Sequence, residues 1–468
     1  MKYDFIVIGG GSAGLVASKF AKGVGKKVAI VERHKLGGDC THFGCIPSKA
    51  LLNASHLAQD IRNIKNFGLE MDTSSFNADG AFAHVRKIVS DVYATETPDI
   101  FEEEGIDIIE GQAEFIDNMT ISVDGKEYSA DKFLIATGSS PFIPPIKGLE
   151  DVNYLTNETI FHLDKLPKSI AVLGGGPIGI ELATAFNGLG VDVAVIEMND
   201  RILPKEDEEL SELLKIKLEA DGLNILTETK VLSAEQFNDY VSLKTAGKLD
   251  EVKAEKVLVA TGRKPNLEGM RLTNAGVKFD KQGVRVDKYL KTNAPNIYAA
   301  GDVVPPYQFT HVADYEAVTA CRNAFLPLNK AVDYSNVGWC TYTEPELARV
   351  GMTEKEARAE YGDNIRVFRY EFAHVDRGIS DGKTDGLAKY VTDKKGRILG
   401  AHILGSRAGE VIHEAMLAKA NNIPFQKISN MVHIYPTYSY AVRQPSKYAV
   451  VEMLLDNPFI KFIRGLKK

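Results

Sequence analysis

The chain has few cysteines, no long apolar run and no excess of positive charge. Four cysteines occur in 468 residues, too few to staple a chain of this size. The opening "MKYDFIVIGGG" is one lysine, a short apolar run and glycines; it lacks the long h-region and cleavage site of a secretory leader and reads as a buried first strand. Such a chain is expected in the cytoplasm, where a close cysteine pair is more often redox-active or metal-binding than structural. No stretch of about 18 uncharged apolar residues occurs, so no integral membrane segment is expected. The basic, mildly amphipathic "NPFIKFIRGLKK" (457–468) reads as the solvated end of a packed helix rather than a membrane contact. A net charge of -7 and a pI near 5.9 argue against nucleic-acid binding as a main role.

What the chain does contain is a repeat. Shifted by 165 residues, "DFIVIGGGSAGLVASKFAKGVGKKVAIVER" (4–33) lies over "SIAVLGGGPIGIELATAFNGLGVDVAVIEM" (169–198) without a gap. Each copy has an apolar strand, a G-x-G-x-x-G turn, a helix, a glycine and a second strand ending in an acid. The turns comprise Gly9, Gly11, Ser12, Ala13 and Gly14 in one copy and Gly174, Gly176, Pro177, Ile178 and Gly179 in the other. The acids, Glu32 and Glu197, each lie 18 residues beyond the third glycine. This is the pattern of a dinucleotide site: the glycines admit the pyrophosphate to a helix N-terminus and the acid meets the ribose hydroxyls.

Two such sites suggest a flavin and a nicotinamide. FAD is expected on the first, with Arg33 beside Glu32, and NADH on the second, because Glu197 would repel a 2′-phosphate. Arg201 and Lys205 keep NADPH open. Val231 is expected beside the nicotinamide nucleotide. Two strand-then-ATG segments, "FLIATGSSP" (133–141) and "VLVATGRKP" (257–265), bring Thr137, Gly138, Ser139, Gly262 and Arg263 to the nucleotide ends of their sheets. "TNAPNIYAAGDV" (292–303) reads as a further strand ending in Gly301 and Asp302, where Asp302 is either a ligand contact or a helix N-cap.

The fold class follows: α/β, with two Rossmann-like dinucleotide-binding domains and a C-terminal α+β domain. The expected boundaries are 1–147 for the first part of the FAD domain, 148–264 for the NAD(P) domain, 265–336 for the second part of the FAD domain, and 337–468 for the C-terminal domain. Strands are expected at "WCTYTEPELARVGMT", "IRVFRYEF", "GLAKYVTD" and "ILGAHILG", followed by the helix "AGEVIHEAMLAKANN".

In "LGGDCTHFGCIPSKALL" (36–52), Cys40 and Cys45 flank a four-residue spacer with Gly37, Gly38 and Gly44 giving flexibility. Pro47 marks the first turn of a helix. Cys45 is then near the positive end of a helix dipole and Lys49 is one turn on, both of which favour the reactive thiolate. Zinc fits loosely, since Cys321 and Cys340 are isolated and complete no ligand set; they read as small core residues, and no metal site is assigned.

"GGDCTHFGCIPSK", the two fingerprints, the ATG turns and "AAGD" together resemble the class I pyridine nucleotide-disulfide oxidoreductases over nearly the whole chain. "GGDC", "FTHVADYEA" and "TYTEPELARVG" are most similar to the branch of mercuric reductases and dihydrolipoamide dehydrogenases. The resemblance implies a homodimer joined through the C-terminal domain. It implies Cys45 beside the flavin, Cys40 as the thiol that meets the acceptor, Lys49 paired with Glu181, and Asp302 on the FAD ribityl chain. Gly38, Asp39, Ala113, Thr310 and His311 would also line FAD. Hydride would pass from NADH to flavin, then electrons to the Cys40–Cys45 disulfide, then to an external disulfide or thiol-bound metal.

The resemblance breaks at "MVHIYPTYSYAVRQ". Such enzymes carry a His-Pro-x-x-x-Glu-like element here whose histidine serves the partner subunit. Tyr435 stands in place of that histidine, Tyr440 in place of the glutamate, and His433 remains nearby. A phenol with a pKa near 10 is a poor base at neutral pH, which disfavours lipoamide chemistry. Mercuric reductases carry a C-terminal cysteine pair; "FIRGLKK" has none. The leading reading is a mercuric-reductase-like disulfide or metal reductase. A dihydrolipoamide dehydrogenase with an altered acid-base group, a flavin quinone or oxygen reductase, and a non-enzymatic redox-sensing flavoprotein are the alternatives. The loop-like "FAHVDRGISDG" (372–382) contributes His374, Asp376 and Arg377 as a further cluster.

Overall fold

The computed structural model describes residues 1–72, 77–456 and 460. The expectation about the basic tail from 457 falls almost wholly outside these residues.

The repeat folds twice into the same unit. Lys2–Ile8 pairs in parallel with Val28–Glu32, placing Phe5 opposite Val28. In the second copy Ser169–Leu173 pairs with Asp192–Ile196 and places Ile170 opposite Val193, the same register 165 residues on. These strands are apolar on both faces because helices cover the sheets, as parallel sheets require. The first sheet runs Ile106–Glu110, Val28–Glu32, Lys2–Ile8, Lys126–Ile135, then the antiparallel strands Thr120–Val123 and Ala113–Phe115. The far edge of Lys126–Ile135 is shared: its start pairs with Thr120–Val123 and its end with Ile297–Ala299. The turn at Asp124 and Gly125, both with positive φ, closes the hairpin before it. The strand expected in 292–303 is limited to Ile297–Ala299, because the chain turns at Gly301 (φ 81°) towards the site.

The second sheet has the order Asn224–Leu226, Asp192–Ile196, Ser169–Leu173, Lys256–Val259, all parallel. A three-stranded antiparallel sheet, which includes Lys230–Gln236, packs beside it. The two ATG segments meet directly, Ser139–Pro141 pairing with Arg263–Pro265.

The C-terminal strands form one antiparallel sheet, ordered Gly338–Thr341, Glu346–Gly351, Ile398–Gly405, Leu387–Asp393, Ile365–Glu371. The helix Ala408–Ala420 packs on it through Ala408, Val411, Ile412 and Ala415. The segment expected as a loop at 372–382 is instead a turn of 3₁₀ helix, Phe372–His374, and a short helix, Asp376–Asp381. Buried Phe372 and Val375 anchor it to the core. Among the described residues no helix is long and apolar enough to cross a membrane.

Candidate active site

The two fingerprint turns are built alike. Gly9 and Gly174 share φ 109°. A Cβ on Gly14 would lie 1.9 Å from the Gly9 carbonyl oxygen, and one on Gly179 would lie 2.0 Å from that of Gly174, so no other residue fits. The helices Ser12–Gly23 and Pro177–Gly188 begin after Gly11 and Gly176 with no side-chain cap, which leaves their first N–H groups available to an anion. Glu32 accepts from the Gly10 N–H and Glu197 from the Gly175 N–H, each at 2.6 Å. A cavity beside the first turn is lined by Gly9, Glu32, Arg33, Gly111, Ala113 and Thr137. These cradles fit a dinucleotide apiece. Val231 is buried in the core of the second nucleotide region. Arg201 donates to the Pro204 carbonyl at 2.6 Å and pairs with Glu208 at 3.8 Å.

Cys40 lies in the short helix Gly38–His42, and Cys45 is the first residue of the helix Cys45–Arg62. Of the spacer expected to be flexible, Thr41 and His42 are helical, and Phe43 and Gly44 form the turn between the two helices. Gly44 forms a tight joint between the helices, since a Cβ there would lie 3.0 Å from the Asp39 carbonyl oxygen. Both cysteines are free thiols and are hydrogen-bonded to each other. The Cys45 sulfur is 3.3 Å from the Thr310 hydroxyl.

The pair is polarised. The Cys40 thiol's hydrogen bond is the largest influence on Cys45, and with Thr310 and the Lys49 charge it lowers that thiol to about 6, against burial and Glu181. Cys40 is pushed up by the same hydrogen bond and by burial. One thiolate on Cys45, stabilised by a neutral Cys40, is the resulting state near neutral pH.

Lys49 is held by Glu181 at 2.7 Å. The other Glu181 oxygen accepts from the Tyr342 N–H at 2.9 Å, and the Lys49 ammonium sits 4.6 Å from the centre of the Tyr342 ring. Burial pulls Lys49 down, but Glu181 and Cys45 outweigh it and keep the ammonium charged.

Behind the cysteines, Arg263 ties three segments together. It donates to the Ser139 hydroxyl at 2.7 Å and carbonyl at 2.8 Å, and pairs with Asp39 at 3.2 Å. The Ser139 hydroxyl donates to Asp302 at 2.7 Å. Asp302 caps no helix, so the N-cap alternative is set aside: the next helix begins at Thr310. Burial raises its carboxyl. Asn157 donates to the same Asp39 carboxylate oxygen at 3.0 Å. His311 donates its Nε2–H to the Gly338 carbonyl at 2.9 Å and stacks on Phe309. Sequence reasoning missed Asn157 and Tyr342, which carry no local motif.

Cys321 is fully buried, as expected; Cys340 is half-buried, close to Glu346 and to the charges of Glu181 and Lys49. No cluster that could hold a metal ion occurs among the described residues.

Tyr435 and His433 lie in the C-terminal region. His433 is buried and uses both ring nitrogens, on Glu414 at 2.7 Å and on the Met431 carbonyl at 3.1 Å. Tyr435 is 61% exposed, between Ile434 at 80% and a Pro436 reached through a cis bond. A hydrogen bond to Asp376 raises its phenol above 10. Tyr440 meets it edge-on.

A duplicated nucleotide cradle meeting a polarised thiol pair defines a disulfide oxidoreductase, and comparison with known proteins agrees. Residues 3–317 match the pyridine nucleotide-disulphide oxidoreductase family and residues 337–445 its dimerisation domain; the chain belongs to this family, whose cofactors are FAD and NAD(P)H. It is 36% identical to mercuric reductase of Bacillus cereus, over 89% of this chain and 66% of that protein. It is 35% identical to a dihydrolipoyl dehydrogenase of Bacillus subtilis, over 94% of this chain and 96% of that protein. A solved structure described as the Cu(II) complex of the HOCl-induced flavoprotein disulfide reductase RclA from Escherichia coli superposes with a TM-score of 0.87 at 27% identity, covering 96% of this chain and 99% of that one.

Proposed function

We propose that this protein is an NAD(P)H-dependent FAD disulfide oxidoreductase that acts through Cys40 and Cys45 on an external disulfide or thiol-bound metal ion. The observation that carries the reading is the polarised pair, with Cys45 at the start of its helix beside Thr310 and Lys49.

FAD would lie along residues 1–147 and 265–336, NADH along 148–264, and the dimer contact within 337–468. Bound FAD would carry the electron pair from the nicotinamide to the cysteines. Thr310, Lys49 and the Cys45–Arg62 helix stabilise negative charge on the Cys45 sulfur. Glu181 fixes Lys49 there, and Asp302 and Ser139 orient the segment at the cofactor's polar chain.

With a disulfide acceptor, Cys40 yields its proton to Cys45 and attacks one acceptor sulfur; the departing thiolate takes that proton, which restores the Cys45 thiolate. Cys45 then attacks Cys40, closing the enzyme disulfide and releasing the second thiolate. Two electrons have moved from the dithiol to the acceptor. With a soft metal ion both sulfurs bind as thiolates, so Cys40 loses its proton on binding.

Tyr435 supports a metal or activated acceptor over dihydrolipoamide, because its raised phenol is a poor proton acceptor. His433 has no free nitrogen to replace it and anchors the segment instead. Two of the relatives, named mercuric reductase and the Cu(II) complex of a disulfide reductase, support this reading, beside dihydrolipoyl dehydrogenases of similar identity.

The test is anaerobic titration with NADH, following the flavin spectrum in the parent and in Cys40→Ser. A long-wavelength band from a thiolate beside oxidised flavin, in the parent after two electrons, places the pair in the electron path. Simple bleaching that is the same in both proteins defeats the reading.

A further inference from the structure

The turn between the two cysteine helices is gripped from the second nucleotide unit. Thr41 and His42 bond close to home: the Thr41 hydroxyl donates to Glu96 at 2.8 Å, and His42 donates its Nε2–H to the Leu36 carbonyl at 2.8 Å. Asp39 and Phe43 are held differently. The Asn157 side-chain amide donates to Asp39 Oδ1 at 3.0 Å and to the Phe43 carbonyl at 3.2 Å, and Arg263 reaches the same Asp39 oxygen at 3.2 Å. No step of the electron path uses Asn157.

Both donors hang from one strand of the second nucleotide sheet. Leu155 exchanges backbone hydrogen bonds with Val257 and Val259, at 2.7 and 2.8 Å, which seats Asn157 two residues on. The Thr159 hydroxyl, accepting from the Thr156 N–H at 2.9 Å, fixes the turn that carries it. Arg263 lies just past the end of the same strand, Lys256–Val259. Asn157 is 6% exposed, so water does not replace either of its bonds when they are stretched. An amide nitrogen is what both acceptors require, since a carboxylate there would face a carboxylate and a carbonyl.

Closing a disulfide draws its sulfurs to about 2.05 Å, well inside the separation of two hydrogen-bonded thiols. The helix Gly38–His42 must then move on the helix Cys45–Arg62. The joint between them is tight: a Cβ on Gly44 would lie 3.0 Å from both the carbonyl oxygen and Oδ2 of Asp39. The movement therefore carries Asp39 and Phe43 against their bonds to Asn157 and Arg263.

We infer that Asn157, with Arg263, clasps the cysteine loop in its dithiol form and so sets the reduction potential of the Cys40–Cys45 pair from the second nucleotide sheet. Asn157 is a positioning residue, acting through Asp39 and Phe43. The inference rests on the proposed redox role of the pair.

The experiment equilibrates the full-length, FAD-loaded protein in mixtures of reduced and oxidised dithiothreitol, then traps thiols by alkylation and counts them by mass. Reduced dithiothreitol gives the pair two electrons and closes to its own cyclic disulfide, its protons passing to the cysteines and solvent. Asn157→Ala should shift the equilibrium about tenfold towards the enzyme disulfide, the worth of a hydrogen bond to a charged group, which is a potential about 30 mV more negative for a two-electron couple. Asn157→Asp should shift it further, because its carboxylate faces Asp39. Adding Asp39→Asn to Asn157→Asp should recover part of the loss, since amide and carboxylate have then exchanged places. A purely structural role would lower the unfolding midpoint of Asn157→Ala while leaving the pair's equilibrium within twofold of the parent, and that result overturns the inference. Ultraviolet thiolate absorbance of the reduced protein separates this inference from the proposed function: the Cys45 midpoint should rise in Asn157→Ala, as its hydrogen bond from Cys40 loosens. If the parent pair never closes in any mixture, the proposed function falls; a raised midpoint then still supports the clasp, and an unmoved one overturns it.

Discussion

The Thr310 hydroxyl lies 3.3 Å from the Cys45 sulfur, although 265 residues separate them. It joins the Cys40 thiol in stabilising a Cys45 thiolate, which lowers that group to about 6. Cys40, Cys321 and Cys340 are all raised. Ultraviolet thiolate absorbance of the reduced protein should therefore show one thiolate appearing as pH rises through about 6. Thr310→Val should move that midpoint up by about one unit, the worth of a hydrogen bond to a charged group. A midpoint unmoved by the substitution would show that Thr310 does not hold the charge.

Lys49 and Glu181 act on Cys45 with opposite signs, the ammonium favouring the thiolate and the carboxylate opposing it. Lys49→Met should raise the Cys45 midpoint and slow reduction of the pair by NADH. Glu181→Gln removes the opposing charge and should lower the midpoint, while freeing Lys49 from its 2.7 Å partner. Alkylation rates against pH read both. Shifts of the same sign in the two variants would mean that rearrangement, not charge, dominates.

These dependencies show where sequence stops being legible. The fingerprints, the acid at each second strand and the cysteine helix are local, because a strand-turn-helix must carry its own glycines and its own helix start. The ungapped repeat, in step at 165 residues, marked the two nucleotide units as one fold used twice. Asn157 on Asp39 and the Tyr342 N–H on Glu181 were invisible, since any residue brought near by the fold can satisfy a buried carboxylate. The spacer between the cysteines was misjudged because its glycines suggested freedom, whereas Gly44 serves close packing. The 372–382 segment looked polar enough for a loop, yet two buried side chains, Phe372 and Val375, hold it as helix.

A buried charge cluster joins the nucleotide region to the C-terminal sheet. Lys389, 3% exposed, pairs with Asp207 at 2.8 Å, Glu209 at 2.9 Å and Glu354 at 2.8 Å. Burial pushes the three carboxyls up, but Lys389 with Arg369, His402 and neighbouring groups outweighs it, and all three are lowered. Depressed folded values mean that their stabilisation is present above the ordinary carboxylate range and is lost as pH falls through the folded values. Lys389→Met leaves these acids uncompensated and should cost about 3–5 kcal/mol. Denaturant unfolding at neutral pH measures the loss, which should shrink in acid as the carboxyls protonate. A loss independent of pH would assign it to packing.

The single tryptophan, Trp339, donates its indole N–H to Glu206 at 2.6 Å and stacks on Phe309, next to Thr310. The other Glu206 oxygen is buried without a partner among the described residues. Burial outweighs the Trp339 hydrogen bond and the nearby cations, Arg349, Lys205 and Arg201, and raises the carboxyl to about 7 from 4.5. Such a group favours folding fully below its ordinary value, and the benefit is lost as pH rises to about 7, a change on the order of 3 kcal/mol. Tryptophan fluorescence of the FAD-loaded protein should titrate with a midpoint about 7, and Glu206→Gln, which still accepts from the indole, should abolish that step. The same variant should be more stable than the parent at alkaline pH and nearly equal to it in mild acid. If the fluorescence step survives in Glu206→Gln, another group beside Trp339 is titrating and the raised carboxyl is not the cause.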